Sequence, residues 1–172
     1  MSAINWLILY LKRVPSPEFI TMVFQLAYLS HAIHPMKDSD LDILLVKARA
    51  RNQSSNITGL LVYSDQTFFQ ILEGPEDKIK ALFARIKEDP RHTGVIELAQ
   101  RVIPSAMFSQ WSMGFIRENT FAEVPLPGYT DLLTSPKTDR EYMLPADASV
   151  ASLFNAFYNT YCDDHGAQSK LH

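Results

Sequence analysis

The stretch that most limits the possible folds runs from Ile57 to Ile86 and contains two strand patterns and one helix pattern. Ile57–Tyr63 and Phe68–Glu73 are short and mostly apolar, and Ser64–Thr67 between them is polar enough for a tight turn. Two strands joined by so short a turn pair antiparallel as a hairpin. Pro75 suits the first turn of a helix. One apolar stripe then recurs at helical spacing: Ile79, Leu82, Phe83 and Ile86. The hairpin and an amphipathic helix are therefore expected to share one core.

A strand and a helix are predicted before this stretch. Met22–Leu29 alternates its side chains between two faces, which is typical of a strand, and a loop is predicted over Ser30–Pro35. A helix is predicted to begin at Ser39, where Asp42 has the spacing of a capping box, and to end near Arg51. Its apolar stripe also has helical spacing: Leu41, Leu44, Leu45 and Ala48. Gly59, inside the following strand, indicates a bulge or a close approach by another group.

Two more strands are predicted after the second helix, at Val95–Ile103 and Gln110–Ile116. The predicted order is therefore β-α-β-β-α-β-β, which fits the α+β class and a ferredoxin-like fold with a five-stranded mixed sheet. Right-handed crossovers place the two helices on one face of that sheet. The other face then needs a cover, because a sheet buries an apolar face against another layer.

An amphipathic C-terminal helix offers that cover. It is predicted to start near Ala148–Ser149, and its aromatic stripe has helical spacing: Val150, Leu153, Phe154, Phe157, Tyr158 and Tyr161. We expect it to lie on the open sheet face or on a partner chain. A short helix near Tyr129–Leu133 and a frayed tail from Gly166 are also predicted. The chain then divides into an N-terminal extension (1–21), a folded domain (22–118) and a helical cap with a tail (119–172).

Composition and charge exclude some classes of partner. Of the 172 residues, 47% are hydrophobic and 20% charged, as in an ordinary globular protein. The formal net charge is -3 and the basic residues are scattered, so neither nucleic acid nor a membrane surface is an expected partner. Ile4–Leu11 is apolar but too short to span a bilayer. The single cysteine, Cys162, fits a reducing compartment, so we expect a cytoplasmic protein.

Gln70 is a polar exception in a strand that should be dry. A primary amide carries an acceptor oxygen and two N–H donors that need partners when buried. Either neighbouring protein groups satisfy Gln70 or a ligand does. Alternation along the strands places Gln70 on the same face of the sheet as Tyr28. In the last predicted strand, Trp111 and Met113 are assigned to that face as well. All four side chains are then expected beneath the two helices.

Polar residues at the helix ends can reach the same region. Asn52 stands at the end of the first helix, and three more residues follow the second: Asp89, Arg91 and His92. Each has a purely structural alternative. Asn52 can cap the helix C-terminus, and the other three can form a solvated turn. Tyr28, Trp111 and Met113 can be ordinary core residues. Their convergence on one place favours a binding site.

No catalytic pattern competes with a binding site. The chain has no paired His and Glu on one helix turn, and one cysteine cannot build a thiolate cage, so no metal is expected. No glycine-rich phosphate loop follows a strand. Ser30-His31 and Ser105 lack an orienting pattern for nucleophilic catalysis. We therefore expect that the protein is not an enzyme.

Six stretches run in the order and at the spacing of a known family: Leu26–Ser30, Ala50–Asn52, Asn56–Tyr63, Phe68–Gly74, Ile86 with Asp89–His92, and Phe108–Met113. Together they resemble the BLUF domain, a small blue-light sensor module that binds FAD. The resemblance covers roughly Met22 to Phe115. It implies a flavin-binding sensor domain over residues 22–118, in the form of a stand-alone short BLUF photoreceptor.

The resemblance implies a flavin ring between the two helices, with its edge toward the sheet. Leu44 and Ile86 would lie on either side, and Asn52 would hydrogen-bond the polar edge of the ring. The ring carbonyls, ribityl chain or phosphates would contact a further set: Arg51, Asp89, Arg91 and His92. Arg51 stands where some relatives carry Asn or His, so this contact departs from the family pattern. FAD is the expected cofactor, and FMN is the alternative.

The resemblance also implies a photochemical role for two residues. Tyr28 would bond Gln70, and Gln70 would bond the N5/O4 edge of the flavin. In the family, light drives electron and proton transfer from the tyrosine, leaves the glutamine rotated or tautomerised, and slightly red-shifts the flavin spectrum. Trp111 and Met113 would relay this change through the last strand to the cap. An unidentified downstream protein would receive it, and a homo-oligomer is expected.

Two other interpretations use the same fold. One is a flavin-free, light-insensitive interaction module that dimerises through the aromatic C-terminal stripe. The other is a small enzyme such as a phosphatase, which would need an anion-binding loop that the chain lacks. An absorption spectrum separates the photoreceptor from both.

Overall fold

The computed structural model describes residues 22–117 and 150–161. In chain order the elements are β1 (Val23–Ala32), α1 (Asp38–Ser54), β2 (Thr58–Ser64), β3 (Thr67–Gly74), α2 (Glu76–Lys87), β4 (His92–Ile103), β5 (Gly114–Arg117) and α3 (Val150–Tyr161). Several predictions lie outside the described residues: the extension 1–21, the short helix near Tyr129–Leu133, Ala148–Ser149, Cys162 and the tail from Gly166. Within the described ranges, no helix is long and apolar enough to cross a membrane.

One mixed sheet organises these elements, with strand order β4-β1-β3-β2-β5. β1 pairs antiparallel with both β3 and β4, and β2 pairs antiparallel with β3. β5 joins the edge of the sheet parallel to β2. β1 and β2 therefore run parallel with β3 between them, which is the split βαβ arrangement of the ferredoxin-like fold. The predicted fold class is confirmed.

Each face of the sheet carries its own core, because successive strand residues point to opposite faces. The first, here called the α1–α2 core, joins both helices to the sheet through Leu26, Tyr28, Phe68 and Leu72 with Leu41, Leu45, Ile79, Leu82 and Phe83. The second, here called the α3 core, joins α3 to the opposite face through Ala27, Phe69 and Ile71 with Val150, Leu153, Phe154 and Phe157. The expectation that the C-terminal helix covers the open sheet face is confirmed.

The start of α1 differs from the prediction. The helix begins at Asp38 with Lys37 as its N-cap residue, and no side chain caps it. The capping box predicted at Ser39 and Asp42 is therefore wrong, because the helix already includes both residues. Acidic residues in the first turn favour the positive end of the helix dipole without capping it. α1 also continues past Arg51 to Ser54.

Strands β1 and β4 are also longer than predicted at one end. β1 continues beyond Leu29 to Ala32, since His31 pairs with Thr67 of β3 and Ala32 pairs with His92 of β4. The first residues of the predicted loop therefore belong to the strand. β4 accordingly begins at His92 rather than Val95.

The connection between β4 and β5, residues 104–113, is here called the crossing segment, because it links the two opposite edges of the sheet. The strand predicted at Gln110–Ile116 was therefore too long, since β5 is only Gly114–Arg117. Trp111 N–H donates to the Phe108 carbonyl at 2.9 Å, which makes a turn where a strand was expected.

Gly59 lies where the backbones of β2 and β3 approach each other closely. Its φ is +157°, and a Cβ built there would lie 2.1 Å from the Ile71 carbonyl oxygen of β3. Its N–H donates to the Trp111 carbonyl at 3.2 Å. The predicted close approach at this glycine is confirmed, and it joins the hairpin to the crossing segment.

Candidate functional site

Tyr28 and Gln70 form a buried pair at the centre of the sheet. They are direct partners in the antiparallel register of β1 and β3, so their side chains leave the same face side by side. Tyr28 is 1% exposed and Gln70 is 7% exposed. The Tyr28 hydroxyl donates a hydrogen bond to Gln70 Oε1. Alternation along both strands predicted this common face correctly.

The other end of the Gln70 amide has a weaker partner. Gln70 Nε2 donates to the sulfur of Met113 at 3.3 Å. A thioether sulfur is a poor acceptor compared with an oxygen. Among the described residues, the amide donors of Gln70 therefore lack a strong acceptor while its oxygen is well bonded. The protein satisfies the amide oxygen of Gln70 and leaves the amide N–H groups suited to a ligand with an acceptor atom.

The phenol of Tyr28 is held in its protonated form. Burial, with a smaller contribution from the negative charge of Asp89, raises the pKa of Tyr28 well above its ordinary value. The ring also packs on Phe83 of α2, with centroids 5.3 Å apart. Tyr28 is therefore a neutral donor in a dry environment.

A cleft between α1 and α2 opens onto this pair. Its lining includes every residue predicted to bind the cofactor: Tyr28, Leu44, Arg51, Asn52, Gln70, Ile86, Asp89, Arg91 and His92. Leu44 comes from α1 and Ile86 from α2, so the cleft has an aliphatic side chain on each helix. Five further residues also line it: Lys47, Ala48, Leu61, Phe68 and Leu82. Of these, Lys47 could have been found from the sequence, because it is one helical turn from both Leu44 and Arg51.

The turn after α2 gives the cleft a charged edge. Arg91 donates to Asp89 through its Nε at 2.9 Å and its backbone N–H at 3.0 Å. These bonds hold the pKa of Asp89 down at about 2, so the carboxylate is ionised. The predicted solvated turn does exist, and it also lines the cleft.

His92 is the third residue of this group. Its Nδ1 hydrogen-bonds Ser30 Oγ at 2.9 Å, and its ring centroid lies 5.0 Å from that of Phe68. Burial lowers the pKa of His92 below its ordinary value, which favours the neutral imidazole. A neutral ring can donate from one nitrogen and accept at the other.

A hydrogen bond from Asn52 connects α1 to the crossing segment. The Asn52 side chain is 2% exposed, and Nδ2 donates to the Ser112 carbonyl at 2.8 Å. Arg49, which the sequence analysis missed, donates from Nε to the Met113 carbonyl at 3.0 Å. Asn52 is not the C-cap residue, since α1 ends at Ser54 and Ser55 takes that position. The C-cap alternative for Asn52 is therefore wrong.

Trp111 and Met113 lie on different faces of the sheet. Met113 belongs to the α1–α2 core, whereas Trp111 packs against the α3 core. The expected convergence of Trp111 with Tyr28 and Gln70 is therefore wrong, because residues before β5 do not follow strand alternation. The indole Nε1 of Trp111 is buried and has no hydrogen-bond partner among the described residues. Its relay role stays a prediction.

A family model described as "Sensors of blue-light using FAD" matches residues 23–114. The chain belongs to the BLUF family. The matched range contains both members of the Tyr28–Gln70 pair and all the residues of the cleft described above. FAD is therefore the cofactor that defines the family of this domain.

Relatives of this BLUF chain carry the domain within larger proteins. The photoactivated adenylate cyclase subunit beta of Euglena gracilis is 37% identical over 61% of this chain and 12% of its own length. The blue light- and temperature-regulated antirepressor BluF of Escherichia coli (strain K12) is 34% identical over 54% of this chain and 23% of its own length. The chain thus spans less than a quarter of either relative.

Solved BLUF structures match more of the chain. The dark-state structure of BlrB, a BLUF protein, has a TM-score of 0.59 and 26% identity, and the match covers 83% of this chain and 99% of BlrB. The ground state of BlsA has a TM-score of 0.53 and 31% identity, covering 64% of this chain and 78% of BlsA. The fold and the family are therefore supported independently.

The residues of the cleft fit a flavin. Gln70 offers amide donors that have only a sulfur acceptor, which suits the nitrogen and carbonyl edge of the ring. Leu44 and Ile86 supply apolar sides for a flat ring. Arg51 and Arg91 supply cationic donors for ring carbonyls or phosphates. The donor set and the apolar walls agree with the cofactor that the family requires.

Proposed function

We propose that this protein is a blue-light photoreceptor that binds FAD and signals by rearranging the hydrogen bonds between Tyr28, Gln70 and the flavin. One observation supports this most strongly. The Tyr28 hydroxyl bonds Gln70 Oε1, and Gln70 Nε2 in turn bonds Met113 of the crossing segment. A single amide thus connects the cleft to a segment of the chain that leads into β5.

The bound flavin would supply light absorption and an electron acceptor. In the dark, burial keeps Tyr28 protonated and donating to Gln70 Oε1. A phenol that loses an electron becomes strongly acidic, so its proton would pass along that existing bond to Gln70 Oε1. When the electron returns, the Tyr28 oxygen takes one proton back from the amide and the hydroxyl forms again. If Oε1 returns the proton it received, the amide is restored and is left turned over; if Nε2 gives up a proton instead, the amide is left as its tautomer.

Turning the amide over changes the hydrogen bond to Met113, and the tautomer leaves Nε2 with one N–H fewer that can donate to the sulfur. In the dark arrangement the Met113 sulfur accepts an N–H from Gln70. After the amide turns over, the sulfur would face a carbonyl oxygen instead and would have no donor there. The change biases the crossing segment without moving net charge, because an amide exchanges its donor and acceptor ends by rotation. Trp111 and Met113 are the proposed relay residues.

The remaining cofactor contacts are assigned as the family suggests. Asn52 would bond the polar edge of the ring, and Leu44 and Ile86 would flank it. A further set would contact the ring carbonyls, ribityl chain or phosphates: Arg51, Asp89, Arg91 and His92. All of them line one cleft, which supports the assignment. FMN would occupy the same ring site, since these contacts do not require the adenosine part.

The output is proposed to be a light-dependent contact with another protein. α3 covers the sheet face on which Trp111 packs, so a change in the crossing segment would reach the core to which α3 belongs. We further propose a sensor domain over 22–118 with a cap over 119–172, a cytoplasmic location, a homo-oligomer, and no direct binding of nucleic acid or membranes. The cyclase and antirepressor activities named for the relatives are not carried over, since the matches cover so little of those proteins. No enzymatic role is proposed for the described residues.

The absorption spectrum of the purified full chain tests this function. The protein should bind FAD, and blue light should shift its flavin bands reversibly to longer wavelength. A protein that remains colourless after reconstitution with FAD would support the flavin-free interaction module instead. A flavin-loaded protein with no light-dependent shift would also contradict the proposal.

A further inference from the structure

A second cross-strand pair lies on the opposite face of the same two strands. Gln25 of β1 and Glu73 of β3 are direct partners in the register, three positions from Tyr28 and Gln70 on each strand. An odd offset places a residue on the other face of a sheet. Both residues are 0% exposed, and Gln25 Nε2 donates to Glu73 Oε1 at 2.6 Å. A carboxylate this deeply buried needs several donors to offset its desolvation.

Those donors come from the crossing segment as well as from Gln25. The Phe108 backbone N–H donates to Glu73 Oε2 at 3.0 Å. Gln25 Nε2 also lies 3.5 Å from the sulfur of Met107. On its other side, Gln25 Oε1 accepts a hydrogen bond from Arg101 Nε of β4 at 2.7 Å. The three side chains therefore form a chain of hydrogen bonds across the strands, in which Arg101 donates to Gln25 and Gln25 donates to Glu73.

Burial and these bonds act on the pKa of Glu73 in opposite directions, and burial is the larger effect. Burial raises the pKa of Glu73 above its ordinary value, and the bonds from Phe108 and Gln25 oppose that rise. The charge of Arg101 acts in the same direction as those bonds. Glu73 is not part of the flavin cleft, so the switch proposed above leaves this buried acid unexplained.

Besides the backbone bond from Gly59 to Trp111, two side chains of the sheet attach the crossing segment from opposite faces. Glu73 holds Phe108 on the α3 side, and Gln70 holds Met113 on the side of α1 and α2. Between these attachments lies Trp111, which packs against the α3 core. If Phe108 stays bonded to Glu73, the crossing segment cannot respond to a change at Met113 by shifting as a whole, so the residues between the two attachments must adjust.

We propose that Glu73 and Gln25 are positioning residues that anchor the crossing segment at Phe108. Because the segment is held there, the change at Gln70 is transmitted to Trp111. This inference rests on the photoreceptor function proposed above. The anchor does not touch the flavin and takes no part in the photochemistry. It determines how much of the change at Gln70 reaches the α3 face.

Exchanging the two side chains provides the test. Glu73→Gln keeps the size of the side chain but leaves one amide oxygen to accept from two donors. Gln25→Glu places two carboxylates against each other and breaks the pair from the other strand, so it also serves if Glu73→Gln does not fold.

The double variant, Gln25→Glu with Glu73→Gln, restores the pattern of donors and acceptors. The carboxylate introduced on β1 would accept from Arg101 and from the amide introduced on β3, and the oxygen of that amide would accept from the Phe108 N–H. Glu97→Gln, the same change at an exposed position of β4, is the control.

The first measurement is amide hydrogen exchange at Phe108 in the dark. Each single variant should lower the protection of this amide roughly tenfold or more, because Glu73→Gln leaves one neutral oxygen for two donors and Gln25→Glu pushes the Glu73 carboxylate away by repulsion. The double variant should recover most of the protection, and Glu97→Gln should leave it unchanged. Full protection at Phe108 in either single variant, or no recovery in the double variant, would overturn the anchor.

The second measurement compares light and dark in the flavin-loaded protein. Each single variant should show the wild-type red shift but lose the light-induced difference in exchange at residues 111–113. The double variant should recover that difference. A single variant with a normal light-induced difference would overturn the positioning role alone. A wild-type protein without any red shift would instead overturn the proposed function, and the positioning role with it, whatever Phe108 shows in the dark.

Discussion

At the scale of single residues, Gln70 holds two hydrogen bonds of unequal strength. Its oxygen accepts from the Tyr28 hydroxyl, and its nitrogen donates to the Met113 sulfur. A buried amide with one strong and one weak partner can exchange them at a smaller cost than an amide bonded strongly at both ends. Neither arrangement requires a charge in the dry site. Gln70 is thus suited to hold either of two states.

Asp89 allows a prediction at the same scale. Its bonds from Arg91 hold its pKa at about 2, against an ordinary value of 3.8. Between these values the folded protein binds fewer protons than the unfolded chain, so Asp89 contributes stability above that range and loses it as the pH falls. Asp89→Asn removes this contribution. The free energy of unfolding of the flavin-free wild type should exceed that of the variant near neutral pH, and the difference should shrink as acid is added.

Urea titrations at a series of pH values measure this difference. Glu88→Gln, at an exposed position directly after α2, is the control for removing one negative charge. A difference between wild type and Asp89→Asn that stays constant from neutral pH to about pH 3 would contradict the assignment of the lowered pKa to Asp89.

At the scale of elements, strand alternation predicted what lies in regular strands. Tyr28 and Gln70 belong to central strands with a core on each face, so period two assigned their common face correctly. Position at the helix ends indicated Asn52 and Asp89–His92, and the family resemblance added Leu44, Arg51 and Ile86 to the cleft residues. The fold class followed from the order of helices and strands.

The crossing segment was the part that alternation could not predict. The sequence of Gln110–Met113 is typical of the start of a strand. Its backbone instead forms a turn with Phe108 and accepts hydrogen bonds from two side chains of α1. The bonds from α1 join residues that are far apart in the sequence, so no periodic pattern of residues predicts them. Trp111 was therefore assigned to the wrong face. The bond from the Phe108 N–H to Glu73 was missed for the same reason, since Phe108 belongs to this segment.

Gly59 gives a prediction for the hairpin. Gly59→Ala would place a methyl group 2.1 Å from the Ile71 carbonyl oxygen, at a φ of +157°. Backbone must move to accept it, so the variant should lose about 3 kcal/mol or more of unfolding free energy. Gly94→Ala in β4 is the control: it also has a positive φ, but its nearest contact is an ordinary 3.6 Å from the His31 ring. That variant should lose only about 1 kcal/mol. Equal losses in chemical denaturation would contradict the crowding argument at Gly59.

At the scale of the whole molecule, one sheet separates two hydrophobic cores, and the proposed function gives each a different role. The α1–α2 core contains the cleft and the Tyr28–Gln70 pair, and the α3 core receives Trp111 and the C-terminal helix. β1 and β3 carry a polar pair on each face, and both pairs bond the same crossing segment. The proposed light absorption on one side and protein contact on the other are thus joined through one stretch of chain, residues 104–113.

The light-minus-dark absorption spectrum of Tyr28→Phe, recorded beside that of the wild type at equal flavin content, tests the central claim most directly. Phe keeps the buried ring and its packing on Phe83 but removes the hydroxyl that donates to Gln70. The wild type should show a reversible red shift of its flavin bands under blue light, and Tyr28→Phe should bind flavin but show no shift. A normal, reversible red shift in Tyr28→Phe would contradict the claim that the bond between Tyr28 and Gln70 is the switch.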